Sequence, residues 1–251
     1  MSFLKIGDIK IGEGMPKICV PIVGMTEEEI LLQTEEVYRS SADLAEWRVD
    51  WFEDALDIEK VLCVLEKIKE LLREKPLIFT FRTKTEGGEK ECSYEQYREL
   101  LIEVAKSKMA TVIDVEVLHW EGIKALIQEI QREQIPVIGS NHDFLKTESK
   151  VELIERMVMI QNMGVDVVKL AVMPRNDEDV LILLEATLEM RKRHATVPIV
   201  TMSMSKTGAI SRISGEMFGS AITFASLGRM SAPGQIEVGK MQGVLKILHE
   251  M

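Results

Sequence analysis

Short runs of apolar and β-branched residues recur along the chain about every 30 residues, with amphipathic stretches between them. That alternation marks repeated βα units, in which each helix carries the chain back to start another parallel strand. The strand runs cover 17–23, 44–50, 76–82, 110–117, 136–142, 165–172, 197–204 and 221–227. Between them, Ile58, Val61, Leu62, Leu65, Ile68 and Leu72 repeat on one helical face. Stretches 26–38, 149–163, 177–194 and 236–249 complete the helical set. Thr26 before Glu28 and Glu29, and Ser93 before Gln96, read as helix N-caps. An open doubly wound sheet competes, but it holds about five or six strands. Eight units in 251 residues favour closure into a (β/α)8 TIM barrel. Residues 2–15, with Phe3, Leu4, Ile6, Ile9 and Ile11 set between glycines and charges, predict an N-terminal β-hairpin that closes the bottom of the barrel. No internal repeat or linker divides the chain, so one domain, 1–251, is expected.

The formal net charge is −10, which argues against a general nucleic-acid or anionic-membrane surface while leaving room for a local basic site. No apolar run approaches the ~18 residues of a membrane span, and no signal-peptide pattern opens the chain. Cys19, Cys63 and Cys92 show neither ligand nor disulfide spacing and read as reduced thiols in a cytoplasmic protein.

Barrel strands are buried on both faces, so polar side chains on them carry the information. They gather late in the strands, the end where barrel active sites form. Alternation puts Glu46, Arg48 and Asp50 on one face and Trp47 and Val49 on the other. Arg82 shares a face with Thr80, and Asp114 and Glu116 end the fourth run. Ser140, Asn141, His142 and Asp143 end the fifth, and Lys169 lies inside the sixth. Glu46 with Arg48 and Asp114 with Glu116 could form a structural salt-bridge network, and for Asp50, Asp114 and Glu116 that is the first reading. Met202 and Met204 read as core or as an apolar pocket wall. Lys169 is the exception: flanked by valine, leucine and alanine, it would carry a heavy desolvation cost if charged and unpaired. Either it is ion-paired with Asp or Glu, or burial makes it a neutral amine able to attack a carbonyl. A histidine one strand earlier is placed to exchange its protons. The functional reading rests on that amine being nucleophilic, not locked against a carboxylate.

Glu46-Trp47-Arg48-Val49-Asp50, Phe81-Arg82-Thr83 with Glu86-Gly87-Gly88, Ser140-Asn141-His142-Asp143-Phe144, Val168-Lys169-Leu170-Ala171, Ser211-Arg212 and Ala232-Pro233-Gly234-Gln235 together resemble the type I 3-dehydroquinate dehydratases. The resemblance implies a lyase of the shikimate pathway, its third step, leading to chorismate and the aromatic amino acids. Such an enzyme converts 3-dehydroquinate to 3-dehydroshikimate by syn elimination of water through a lysine Schiff base. It implies Lys169 as the imine former, His142 as the proton-transfer group and Glu86 as the carboxylate orienting it. Arg212 and Gln235, with Ser231 nearby, resemble the carboxylate clamp, and Glu46, Arg48 and Arg82 the groups holding the ring hydroxyls. Residues 231–235 resemble a closing lid, Met202 and Met204 the wall beside the reacting carbon. The resemblance also implies a homodimer, and no step needs a metal, nucleotide or redox cofactor.

Two rivals remain. A class I aldolase shares the imine chemistry but, for sugar phosphates, uses a glycine-rich phosphate cradle after strands seven and eight; here that region offers Thr207-Gly208 and Arg212. A non-catalytic barrel could use the same inward charges merely to hold a metabolite.

Overall fold

The computed structural model describes residues 3–228 and 232–251. Strands β1 (Leu4–Ile6) and β2 (Ile9–Ile11) precede β3 (Lys17–Ile22), α1 (Glu27–Arg39), β4 (Leu44–Arg48), α2 (Ile58–Leu72), β5 (Leu77–Thr80) and α3 (Tyr94–Ser107). Then come β6 (Val112–Glu116), α4 (Ile123–Arg132), β7 (Val137–Asp143), α5 (Lys150–Asn162), β8 (Val167–Val172) and α6 (Asp177–Glu189). The chain continues through β9 (Ile199–Ser203), short helices α7 (Ala209–Ile213) and α8 (Gly215–Phe218), β10 (Ile222–Ser226), β11 (Ile236–Glu237) and α9 (Val238–His249).

Strands β3 to β9 pair in chain order, all parallel, and β10 pairs with β3. The seam between β9 and β10 is bridged where the Ala221 N–H donates to the Ile199 carbonyl at 2.8 Å and the Thr201 N–H to the Ser220 hydroxyl at 3.0 Å. The sheet therefore closes as the expected (β/α)8 barrel. Helix starts follow local chemistry: Thr26 and Ser93 cap α1 and α3 through their side chains, and Ser93 and Gln96 form a reciprocal capping box. Two expectations shift at the edges. The second barrel strand ends at Arg48, because Val49–Trp51 coils into a 3-10 turn, and α6 passes into a π-turn over Met190–His194.

Inside the barrel, alternation sorts residues into layers. Ile6 and Ile11 of the antiparallel β1–β2 hairpin are buried against Cys19, Leu44, Ile78, Val112, Ile138, Val167 and Val200, at the N-terminal ends of the strands. Each isoleucine so buried stabilises by roughly 1.5–3 kcal/mol, and together they close the bottom as expected. Outward residues such as Trp47 and Phe79, edge to face at 5.6 Å, fill the shell between sheet and helices. Above the apolar floor the inward positions turn ionic: Glu46, Asp114 and Lys169, then Arg48, Arg82, Glu116 and His142. That change of chemistry up the lumen positions the site.

Candidate active site

Glu46, Arg48, Arg82, Glu86, His142 and Lys169 line one cavity with Met202, Met204, Arg212 and Gln235. Ser231, expected beside Gln235, lies outside the described residues. Phe144, Phe224 and Ala232 also line the cavity and had not been singled out for it.

Lys169 corrects the sequence reading. Its Nζ is not an isolated amine: it donates to Asp114 Oδ2 at 2.9 Å and to Glu46 Oε1 at 3.4 Å, and sits 4.6 Å from the centre of the Phe224 ring. Val168 and Leu170 face the helices, so the apolar flanks in sequence do not describe what Nζ meets across the lumen. The ion pair does not seal the nitrogen away, because Lys169 remains part of the cavity wall. Nor is Asp114 its private counter-ion. Arg82 Nη2 reaches the other oxygen of Asp114 at 2.7 Å, and Ser140 donates to that same oxygen at 2.6 Å.

Arg82 is buried at the centre of the network, within 3.1 Å of Glu116, 3.4 Å of Glu86 and 3.0 Å of the Ser140 hydroxyl. Burial alone would push the Asp114 carboxyl up, but Arg82 and Lys169 hold it well below the usual carboxylate range. Glu116 moves the other way, raised by burial and by the nearby Glu86 charge despite Arg82 and its hydrogen bonds from Thr83. The structural network expected of Asp50, Asp114 and Glu116 is present, held together by Arg48 and Arg82. Its partners differ from those expected, since Arg48 forks onto Asp50 at 2.8 and 2.7 Å and not onto Glu46. Arg82, expected to hold ring hydroxyls, spends its guanidinium on carboxylates.

Glu86 ends a 3-10 turn, Lys84–Glu86, and is 1% exposed, where a loop glutamate before two glycines would ordinarily be solvated. The next two residues explain how the turn fits. Gly87 adopts φ +81°, where a Cβ would lie 2.4 Å from the Phe144 ring, and at Gly88 a Cβ would lie 1.9 Å from the Arg82 carbonyl oxygen. Glu86 Oε2 meets His142 Nδ1 at 2.8 Å, while Oε1 accepts from Asn141 Nδ2 at 2.9 Å and meets His119 Nε2 at 2.9 Å. Burial disfavours the charged carboxylate, yet the hydrogen bonds from both histidines bring it down to about 2. A carboxylate can only accept, so Nδ1 of His142 carries the proton and Nε2 keeps its lone pair. Burial, with the nearby Arg82, lowers His142 itself to about 4 against the pull of Glu86, so its resting ring is neutral. The register pairs His142 with Ala171, one inward position above Lys169 on the neighbouring strand. His119 was missed from sequence because it sits in the loop after β6 with no pattern around it.

Arg212, on α7, is 2% exposed, and among the described residues it makes no ion pair. Among the described residues its donors reach Pro233 O at 3.0 Å, Phe224 O at 3.5 Å and Met202 Sδ at 4.0 Å, and Nε has no partner. Desolvation lowers it to about 10. A buried guanidinium fork with an unpartnered N–H beside a cavity has the chemistry to receive a carboxylate. Among the described residues, Glu86, Glu116 and His119 bring potential metal-ligand atoms within 4.8 Å of one another. Arg82 already neutralises both carboxylates, which makes that cluster a poor home for a cation.

Residues 18–251 match the family model for type I 3-dehydroquinase. The chain belongs to the type I 3-dehydroquinase family. It is 48% identical over 248 residues to the 3-dehydroquinate dehydratase of Clostridium botulinum (strain Eklund 17B / Type B), covering 98% of each chain. It is 46% identical to that of Bacillus licheniformis, covering 99% of this chain and 98% of the relative. Among solved structures it superposes with a TM-score of 0.97 on the type I enzyme from Clostridium difficile, at 44% identity over 100% of this chain and 99% of the other. That relative was solved with covalent modified comenic acid. The 3-dehydroquinate dehydratase from Enterococcus faecalis gives a TM-score of 0.91 at 40% identity, covering 97% and 98%.

Proposed function

We propose that the chain performs its family's reaction, dehydration of 3-dehydroquinate to 3-dehydroshikimate on the shikimate pathway, through an imine on Lys169. One observation carries the reading: a single cavity joins a strand lysine, a carboxylate-held neutral histidine and a buried arginine with unspent donors. The Lys169 ammonium first gives up one proton, and His142, as a neutral base on the same cavity, takes it. The freed amine adds to the substrate ketone, and the His142 imidazolium returns its proton to the adduct's hydroxyl, which leaves as water; this restores neutral His142 and leaves an iminium, an electron sink that acidifies the adjacent C–H bond. Neutral His142 removes that proton, giving an enamine and an imidazolium supported by Glu86. The enamine expels the hydroxyl on the next carbon, and the same imidazolium supplies its proton, so both transfers share one face and the elimination is syn. Hydrolysis of the product imine frees Lys169.

Arg212 binds the substrate carboxylate, with Gln235 and Ser231 completing the clamp as residues 231–235 close. Glu46 and Arg48 meet ring hydroxyls, Arg82 holds the carboxylates in place, and Met202 and Met204 wall the reacting carbon. The Clostridium difficile relative was solved with covalent modified comenic acid, which is in keeping with covalent chemistry in the family. Among the described residues no helix is long and apolar enough to cross a membrane. A cytoplasmic homodimer of one-domain subunits belongs to the same proposal, and light scattering of the purified chain tests its mass.

The test of function is direct. Purified chain mixed with 3-dehydroquinate should generate the ultraviolet absorbance of a conjugated enone, with no carbon–carbon cleavage product. Cleavage without enone would indicate an aldolase, and binding without either product a non-catalytic barrel.

A further inference from the structure

We propose that His119 is a positioning residue for this reaction: it shares the Glu86 carboxylate with His142, and its charge sets how strongly that carboxylate supports the His142 imidazolium. The inference rests on the assignment of His142 as the proton-transfer group. Glu86 bridges two imidazoles, His119 Nε2 on Oε1 at 2.9 Å and His142 Nδ1 on Oε2 at 2.8 Å. Any proton on one ring is therefore felt by the other through a single buried anion.

The two rings differ in exposure. The His142 side chain is 11% exposed and that of His119 27%. His119 borders a surface cleft with Thr83, Lys84, Glu91, Cys92 and Trp120, and Trp120 meets its ring edge to face at 6.3 Å. It can thus take its proton from solvent while Glu86 stays sealed. The charges around it are Glu86 and Glu116, which favour the imidazolium, and Arg82, which opposes it, with Lys84 and Glu91 on the rim of the cleft. Around His142 stand Glu86 in favour of charge and Arg82 and Lys169 against, with Asp114 beyond them. The hydrogen bond that His119 donates to Glu86 raises it above its ordinary value, and in its protonated form it offsets part of the carboxylate's charge.

That offset has a purpose in the reaction. His142 must first be a base and then an acid, and a partly neutralised Glu86 keeps its imidazolium acidic enough to protonate the leaving hydroxyl. With a second positive charge on the far side of one shared carboxylate, the coupling is of the order of one pH unit.

The experiment is the pH profile of kcat for wild type, H119Q and H119A, with borohydride trapping run on each. Glutamine can still donate to Glu86 Oε1 but never carries charge, whereas alanine removes both. The expected result is that the acidic limb moves to higher pH by about one unit in both variants, and that H119Q recovers more of the plateau rate than H119A. A limb that stays in place in both variants while the Lys169 adduct still forms overturns the inference alone. A shift in H119A but not H119Q overturns it too, since the hydrogen bond and not the charge would then matter. Failure of wild type itself to form the adduct would instead remove the underlying assignment of the site.

Discussion

Replacing Arg212 with methionine should weaken catalysis while leaving the free protein as stable or more so. The guanidinium is buried, and desolvation lowers it well below its ordinary value, to about 10. A cation whose folded-state value is depressed costs stability in full below that value, and the cost is relieved only as pH rises past it. At about 1.4 kcal/mol per pH unit, the charge costs roughly 3 kcal/mol at neutral pH. Methionine removes that cost and forfeits the hydrogen bonds to Pro233 O and Phe224 O, worth about 1 kcal/mol each. The net is a gain of about 1 kcal/mol, or roughly 2–4 °C in Tm for a chain this long. Binding moves oppositely. Losing the buried partner of a substrate carboxylate costs about 2–5 kcal/mol, lowering kcat/KM by about 30- to 4,000-fold. Lysine at this position should recover part of the loss, since it restores charge but not the fork. Thermal melts and the enone assay read both quantities. A variant that melts several degrees lower with kcat/KM nearly unchanged would show Arg212 to be structural and refute the reasoning.

Replacing His142 with alanine should permit slow imine formation but stall proton transfer, lowering turnover by about 10²- to 10⁴-fold and letting a covalent adduct accumulate in intact-mass spectra; rapid turnover would contradict its role. Acid should destabilise the fold in two stages. His142, neutral down to about 4 in the folded chain, loses stability for the fold as pH falls from 6.5 towards 4, and Glu86 continues the loss from 4.5 towards 2. Urea midpoints measured against pH should show this, and His142→Asn should flatten the first stage. Arg82→Leu should cost about 3–5 kcal/mol in urea unfolding, because Asp114, Glu116 and Glu86 lose their shared counter-charge; a loss under 1 kcal/mol would mean the carboxylates are neutralised some other way.

The barrel was readable because parallel strands buried on both faces print as unbroken apolar runs, and because polar side chains on them stand out by alternation. That placed Glu46, Arg48, Arg82, His142 and Lys169 on the lumen without a structure. Helix α4 escaped: its N-terminus has no capping side chain, only Gly122 at φ +83°, so no start signal preceded it. The pairing of Lys169 was hidden for a deeper reason. Its partners lie 55 and 123 positions away in sequence and approach across the lumen, where flanking residues carry no information. Glu86 and Gln235 were visible only through the family resemblance, because turns and loops have no periodicity to break. His119 was visible through neither.

The central claim is that the paired amine in β8 becomes covalently joined to the ketone during turnover. Sodium borohydride added to enzyme and 3-dehydroquinate at steady state should abolish activity and leave a reduced adduct, its mass localised by peptide mapping to Lys169 and absent from a Lys169→Met control. Full activity surviving borohydride, or an adduct mapped to another residue, would contradict the account.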